Sequence, residues 1–134
     1  VKPFRLPADP AKTAKNYLAA VLPALVATPA PTFGMVLPSQ WTPSKVPAVV
    51  VFDDSGPNTW PVSTRPTLRI TVWADGRDRA RQIAGAALGV LLAHRIPGIA
   101  SITNPTNLLE AVDSNNGGIT VSFTVSAQAR TLAG

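Results

Sequence analysis

Nine of the chain's fourteen prolines fall between Pro23 and Pro66, and this clustering limits the fold more than any other feature. A proline removes a backbone donor, and its ring clashes with the preceding helical turn. That stretch is therefore confined to extended segments and turns. Helices are left two places. In "DPAKTAKNYLAAVL", Asp9 is a suitable N-cap and Pro10 occupies the first helical position, where its missing N–H costs nothing. Ala14, Leu18, Val21, Leu22 and Leu25 follow helical spacing, which predicts a helix from Pro10 to about Leu22, with a kinked continuation past Pro23 toward Val26. The second helix runs from Arg77 to His94, with Ala80, Ile83, Ala84, Ala87, Leu88, Leu91 and Leu92 on one stripe. Gly85, Ala86 and Gly89 make a second strip of small residues. Each glycine costs about 1 kcal/mol of helix stability relative to alanine, so the strip is expected to pack closely against another backbone. Pro97-Gly98 ends this helix.

Strand signals occupy the remainder. Ala48 to Phe52 is a continuous apolar, β-branched run, and Phe33 to Leu37 is a weaker candidate. In "RPTLRITVW", Leu68, Ile70 and Val72 alternate with Thr67, Arg69, Thr71 and Trp73. Near the end, Ile99 to Thr103 and Leu108 to Val112 read as one strand that breaks and resumes. "GITVSFTVSAQA" alternates Ile119, Val121, Phe123 and Val125 against threonine and serine. Between them "DSNNGG" signals a tight hairpin, whereas "DDSGPNTWPVST" has the composition of a long hairpin loop, with Gly56-Pro57 as a break. The order helix, two to three strands, helix, two strands predicts an α+β fold: a mostly antiparallel sheet with both helices packed on one face. One domain is expected over residues 1–134, with a proline-rich extended N-terminus (1–8) and a proline-rich segment (23–66).

Composition narrows the function. With no cysteine and a single histidine, His94, thiolate chemistry, zinc–thiolate sites and His-rich metal clusters are ruled out. No G-x-S-x-G is present, and "ADGRDRA" has one glycine and no lysine, so it is neither a nucleophile elbow nor a phosphate loop. The expectation is a protein with no catalytic residues, no cofactor and no metal, and not an enzyme. His94 falls in the last turn of a helix, where a positive charge suits the dipole. Asp53-Asp54 reads as a solvated turn, because neighbours on a strand point to opposite faces. Asp75 is the expected N-cap of the second helix, with Asp78 in its first turn. Arg77 and Arg81 then share one side and Arg79 turns away, a charged rim that suits a solvated or subunit-bridging face. Only 14% of residues are charged, against about 25% in an average domain. Such a surface belongs to a subunit that buries much of itself in partners. Trp60, among prolines in the loop, is hard to bury within one small domain; with Pro57 and Asn58 it forms the second candidate interface. No apolar run approaches the about 18 residues of a membrane span, and "VKPFRLPADP" is too polar for a signal peptide, so a soluble protein without an export signal of the usual kind is expected.

Three segments together, "KVPAVVVFDDSG", "TRPTLRITVWADGRDRARQIAGAALGVLLAH" and "GITVSFTVSAQAR", resemble the tail terminator proteins of long-tailed (siphovirus-type) bacteriophages. The likeness covers roughly Asp9 to Arg130 and rests on the order of elements, since the family has no invariant catalytic residues to carry over. It implies a homo-oligomeric ring, usually a hexamer, that caps the tail tube, ends its polymerisation and offers the head-docking surface. The implied partners are further copies of the chain, the tail tube protein and a head-completion or neck protein, with DNA only as passing cargo and no membrane. The implied location is the head-proximal end of the tail in the virion, after assembly in the host cytoplasm. A neck or head-completion adaptor is the nearest rival. A small nucleic-acid-binding module is the rival of another class, supported by the net charge of +5 and the arginine-rich helix start; it predicts binding that weakens steeply with salt.

Overall fold

The computed structural model describes residues 4–133; residues 1–3 of the expected extended N-terminus lie outside them. The chain is α+β. It forms β1 (Arg5–Leu6), α1 (Pro10–Val21), a 3-10 turn (Leu22–Ala24), β2 (Thr32–Gly34), β3 (Ala48–Asp53), β4 (Asn58–Thr59), β5 (Ser63–Thr64) and β6 (Thr67–Ala74). After these come α2 (Arg77–Ala93), β7 (Ser101–Thr103), β8 (Leu109–Val112), β9 (Ile119–Arg130) and β10 (Leu132–Ala133).

The main sheet is built on β9, whose twelve residues contain neither proline nor glycine. One edge pairs antiparallel with β6 from Ser126↔Thr67 to Ile119↔Ala74, and with β5 beyond it. The other edge takes β8 and β7 in turn. On the far side β6 pairs antiparallel with β3, and β2 adds to β3 in parallel. Strand alternation gives this sheet two unlike faces. Val49 and Val51, Ile70 and Val72, and Val121 and Phe123 stand side by side across β3, β6 and β9. They bury against Ala11, Ala14, Leu18 and Leu22 of the first helix and Ala80, Ile83, Ala87 and Leu91 of the second. Both helices therefore lie on one face, as the periodicity predicts. The opposite face carries Thr71, Trp73, Thr120, Ser122, Thr124 and Ser126. There the Oγ1 of Thr71 is buried without a hydrogen-bond partner. Thr71→Val keeps the branched shape and removes the orphaned hydroxyl, so it is expected to raise the unfolding free energy by about 1 kcal/mol, measurable by urea denaturation.

The N-terminus of α1 is as expected: the Asp9 carboxylate accepts the Lys12 amide at 3.2 Å and Pro10 follows. Pro23 tightens the helix into the 3-10 turn. The change of pitch rotates Leu25 off the apolar stripe, and it ends half exposed. Other expectations need correction. The strand expected over Phe33–Leu37 is Thr32–Gly34, and the backbone bends away after Gly34. The segment expected to be only a hairpin loop contains strands of its own, β4 and β5, because β9 runs past the start of β6 and leaves its last ladder positions, Ala129 and Arg130, for β5. A terminal ribbon pairs β1 with β10. The "DSNNGG" connection is wider than a two-residue turn. Asp113 accepts the Asn115 amide and the Asn116 side chain, its carbonyl takes the Gly117 amide, and Gly117 alone adopts a positive φ, 75°.

Candidate functional site

At the start of α2 the N-cap is Gly76, in extended conformation and with no side-chain cap; Asp75, expected in that role, stays exposed. Arg77 and Arg81, one turn apart, lie on the side of the helix facing β8. Both reach the same carboxylate. Arg77 Nε donates to Glu110 Oε2 at 2.8 Å, and Arg81 Nη1 donates to Glu110 Oε1 at 3.0 Å. Arg79 turns the other way, to the carbonyl oxygens of Ala27 and Pro29. The spacing correctly separated the arginines. It did not identify Glu110, whose strand pairs with β9 among the described residues; no sequence signal links a carboxylate to arginines about thirty positions upstream.

The clamp has an electrostatic consequence. The Arg77 hydrogen bond, more than the contribution of Arg81, holds the Glu110 carboxyl below the usual glutamate range, and Glu110 in turn raises the Arg77 guanidinium. A carboxylate with a depressed folded pKa stabilises the fold above its unfolded value, and that contribution is lost as pH falls through the folded one. An NMR titration of the Glu110 carboxyl should therefore show a midpoint below that of an unpaired glutamate, and Arg77→Gln should move it up. A midpoint in the ordinary range would mean that the clamp is open in solution. Asp113, at the end of the same strand, is also held low, first by the Trp73 indole N–H at 2.9 Å and then by the Asn115 amide.

β8 is a free edge. Leu109 is 68% exposed and Val112 65%. The outer face of α2 carries no charge from Gln82 to Ala93. Leu92, expected on the buried stripe, is half exposed, whereas Val90 is buried. Gly85 and Gly89, expected against another backbone, also point outward. A Cβ built on either meets nothing within 4 Å. Gly85→Ala and Gly89→Ala should each stabilise the separated chain by up to about 1 kcal/mol, read by denaturation at dilutions where the chain is monomeric. If the strip meets a partner backbone, the same changes will weaken that contact.

Pro57, Asn58 and Trp60 sit on the β4–β5 hairpin, all exposed, Trp60 by 45%. They are at the end of the sheet where β9 finishes. The Arg77/Arg81 edge lies at the other end, beside the start of β9, so the two candidate interfaces are separate surfaces. Of the other tryptophans, Trp41 is buried and donates to the Val46 carbonyl at 2.9 Å.

His94, Asp53 and Asp54 have structural partners. The Tyr17 hydroxyl lies 2.8 Å from His94 Nδ1, so the single histidine ties α1 to the C-cap of α2. Asp53 accepts the Ser55 amide at 2.7 Å, and Asp54 pairs with Arg69 at 3.1 Å, whose guanidinium lies over the Phe52 ring. Among the described residues no three His, Cys, Asp or Glu side chains gather as metal ligands would, and no helix is long and apolar enough to cross a membrane. What the surface offers is a free strand edge and an uncharged helix face. No family model matches the chain, and no curated protein matches it.

Proposed function

We propose that this chain is the subunit of a homo-oligomeric ring that caps a phage tail tube. The observation that supports it best is the open edge of β8. Soluble monomers blunt such edges with charge, proline or a covering loop; this one leaves Leu109 exposed on the face away from the helices and Val112 exposed on the helix side, and its one charge, Glu110, is already held by Arg77 and Arg81. A strand edge and a helix face that bury against a neighbouring copy would cover both. A heterologous contact of that kind repeats from copy to copy and closes into a ring when the rotation allows. Capping then requires no catalysis. The ring would match the tube end on one face, lack on the other the surface that accepts another tube subunit, and leave a channel for DNA. A neck adaptor would use the same ring with a different pair of neighbours. The arginine-rich helix start lends the nucleic-acid module less support, because Arg77 and Arg81 are ion-paired to Glu110 and Arg77 also to Asp78.

Light scattering on the purified protein, with negative-stain images of the same sample, tests the reading. Closed six-fold rings that bind isolated tail tubes and block their further growth are expected. Rings that bind only the head side would transfer the protein to the adaptor class, and a stable monomer that ignores tail tubes would end the capping mechanism.

A further inference from the structure

The end of the molecule remote from Arg77 and Arg81 has a different chemistry. Thr131, itself buried, fastens the terminal ribbon to the β4–β5 hairpin. Its amide donates to the Val62 carbonyl at 3.0 Å and its hydroxyl to the Pro61 carbonyl. Its own carbonyl accepts Arg5 Nη2 at 2.8 Å. Leu6 and Leu132 face each other across the ribbon. These two leucines, Val62 and Trp60 remain exposed although their backbones are held. An apolar surface on an anchored scaffold is organised for contact before any partner arrives.

Arg65, Arg95 and Arg130 surround it. Arg95 and Arg130 line one groove of about 430 Å³ with Ile99, Ala100 and Leu132, and Arg65 is at the foot of the hairpin, its amide on the Pro57 carbonyl. None of the three has a carboxylate within ion-pair distance among the described residues. The acids at this end are engaged elsewhere: Asp54 holds Arg69, Asp53 folds into its own turn, and Asp9 caps α1. The other end is balanced, with Asp75, Asp78, Glu110 and Asp113 among Lys45, Arg77, Arg79 and Arg81. A second copy stacked end to end would therefore bring no net negative surface to the arginines. Duplex DNA would satisfy the arginines but has no apolar surface to cover Leu6, Val62 and Leu132.

We infer that this end, built by the β1–β10 ribbon, the β4–β5 hairpin and the Arg95/Arg130 groove, docks a different protein through an acidic surface that carries apolar or aromatic groups. Trp60 and the arginines are the residue types that dominate such contacts. The inference holds whether or not the chain closes into a ring.

The test uses the full-length protein and two fluorescent probes, a random glutamate–tyrosine copolymer and a DNA duplex of similar charge, followed by anisotropy over a salt series. The copolymer is expected to bind more tightly than the duplex, with affinity falling as salt rises. Trp60→Ser should weaken it about tenfold, as should Arg95→Gln with Arg130→Gln, while circular dichroism stays unchanged. Three results would overturn the docking surface: no copolymer binding, binding that both variants leave intact, or a preference for the duplex, which would indicate nucleic acid. The mass of the same samples reports separately on the ring.

Discussion

Phe123→Ala is expected to lower the unfolding free energy by about 3–5 kcal/mol. Phe123 is among the largest fully enclosed side chains, at 2% exposure. It sits on the central strand β9 opposite Ile70, beneath both helices. Removing the ring forfeits its transfer energy and leaves a cavity that a close-packed interior only partly closes. Domains of this kind hold about 5–15 kcal/mol in total, so the variant should lie near the limit of folding. Urea denaturation followed by circular dichroism measures the loss, with Phe123→Leu as the milder comparison. A loss below about 1 kcal/mol would show that the helices do not close over β9 as described, since mutations with small effects belong to surface positions.

Leu109→Lys combined with Val112→Lys is expected to dissociate the proposed ring into single chains. Lysine on an edge strand blocks further pairing, because its charge would have to be desolvated between strands. Both positions are more than three-fifths exposed within the chain, so the intrachain cost should stay within about 0.5 kcal/mol per site. Light scattering should then report a mass near 14.0 kDa, with an unchanged melting transition at high dilution. Variants that remain assembled would place the contact on a surface other than β8. Substituting Arg77→Gln and Arg81→Gln instead separates edge pairing from the clamp, since both arginines hold Glu110 while the β9 ladder keeps β8 in place.

The candidate surfaces were unevenly legible. Pro57, Asn58 and Trp60 could be singled out because aromatic and proline neighbours in a loop have no apolar periodicity to draw them inward, and the structure leaves them exposed. That the same loop forms strands of its own was not legible. β4 and β5 are two residues each; β5 exists because the end of β9 offers it unpaired backbone groups, and β4 pairs back onto β5. The separation of Arg77 and Arg81 from Arg79 follows from helical geometry alone. Their joint partner, Glu110, depends on where β8 joins the sheet.

The glycines show the limit most clearly. Gly85 and Gly89 suggest close packing because two glycines in a helix otherwise cost stability, and the sequence has no means of indicating whether the contacting backbone belongs to the same chain. In the folded chain both face open space.

What the residue order determined by itself was local: where helices cannot form, which stripe of each helix and which face of β6 and β9 is apolar, and hence an α+β sheet covered on one side. Periodicity and proline are properties of neighbouring residues, and they act before any long-range contact exists. Tertiary structure alone decided that β7 and β8 share an edge of β9 and that Glu110 lies between two arginines. It also decided that one end of the molecule keeps uncompensated arginines beside exposed Trp60 and Leu132. Those features arise from residues tens of positions apart, brought together only when burial of Phe123 and its neighbours closes the sheet against the helices.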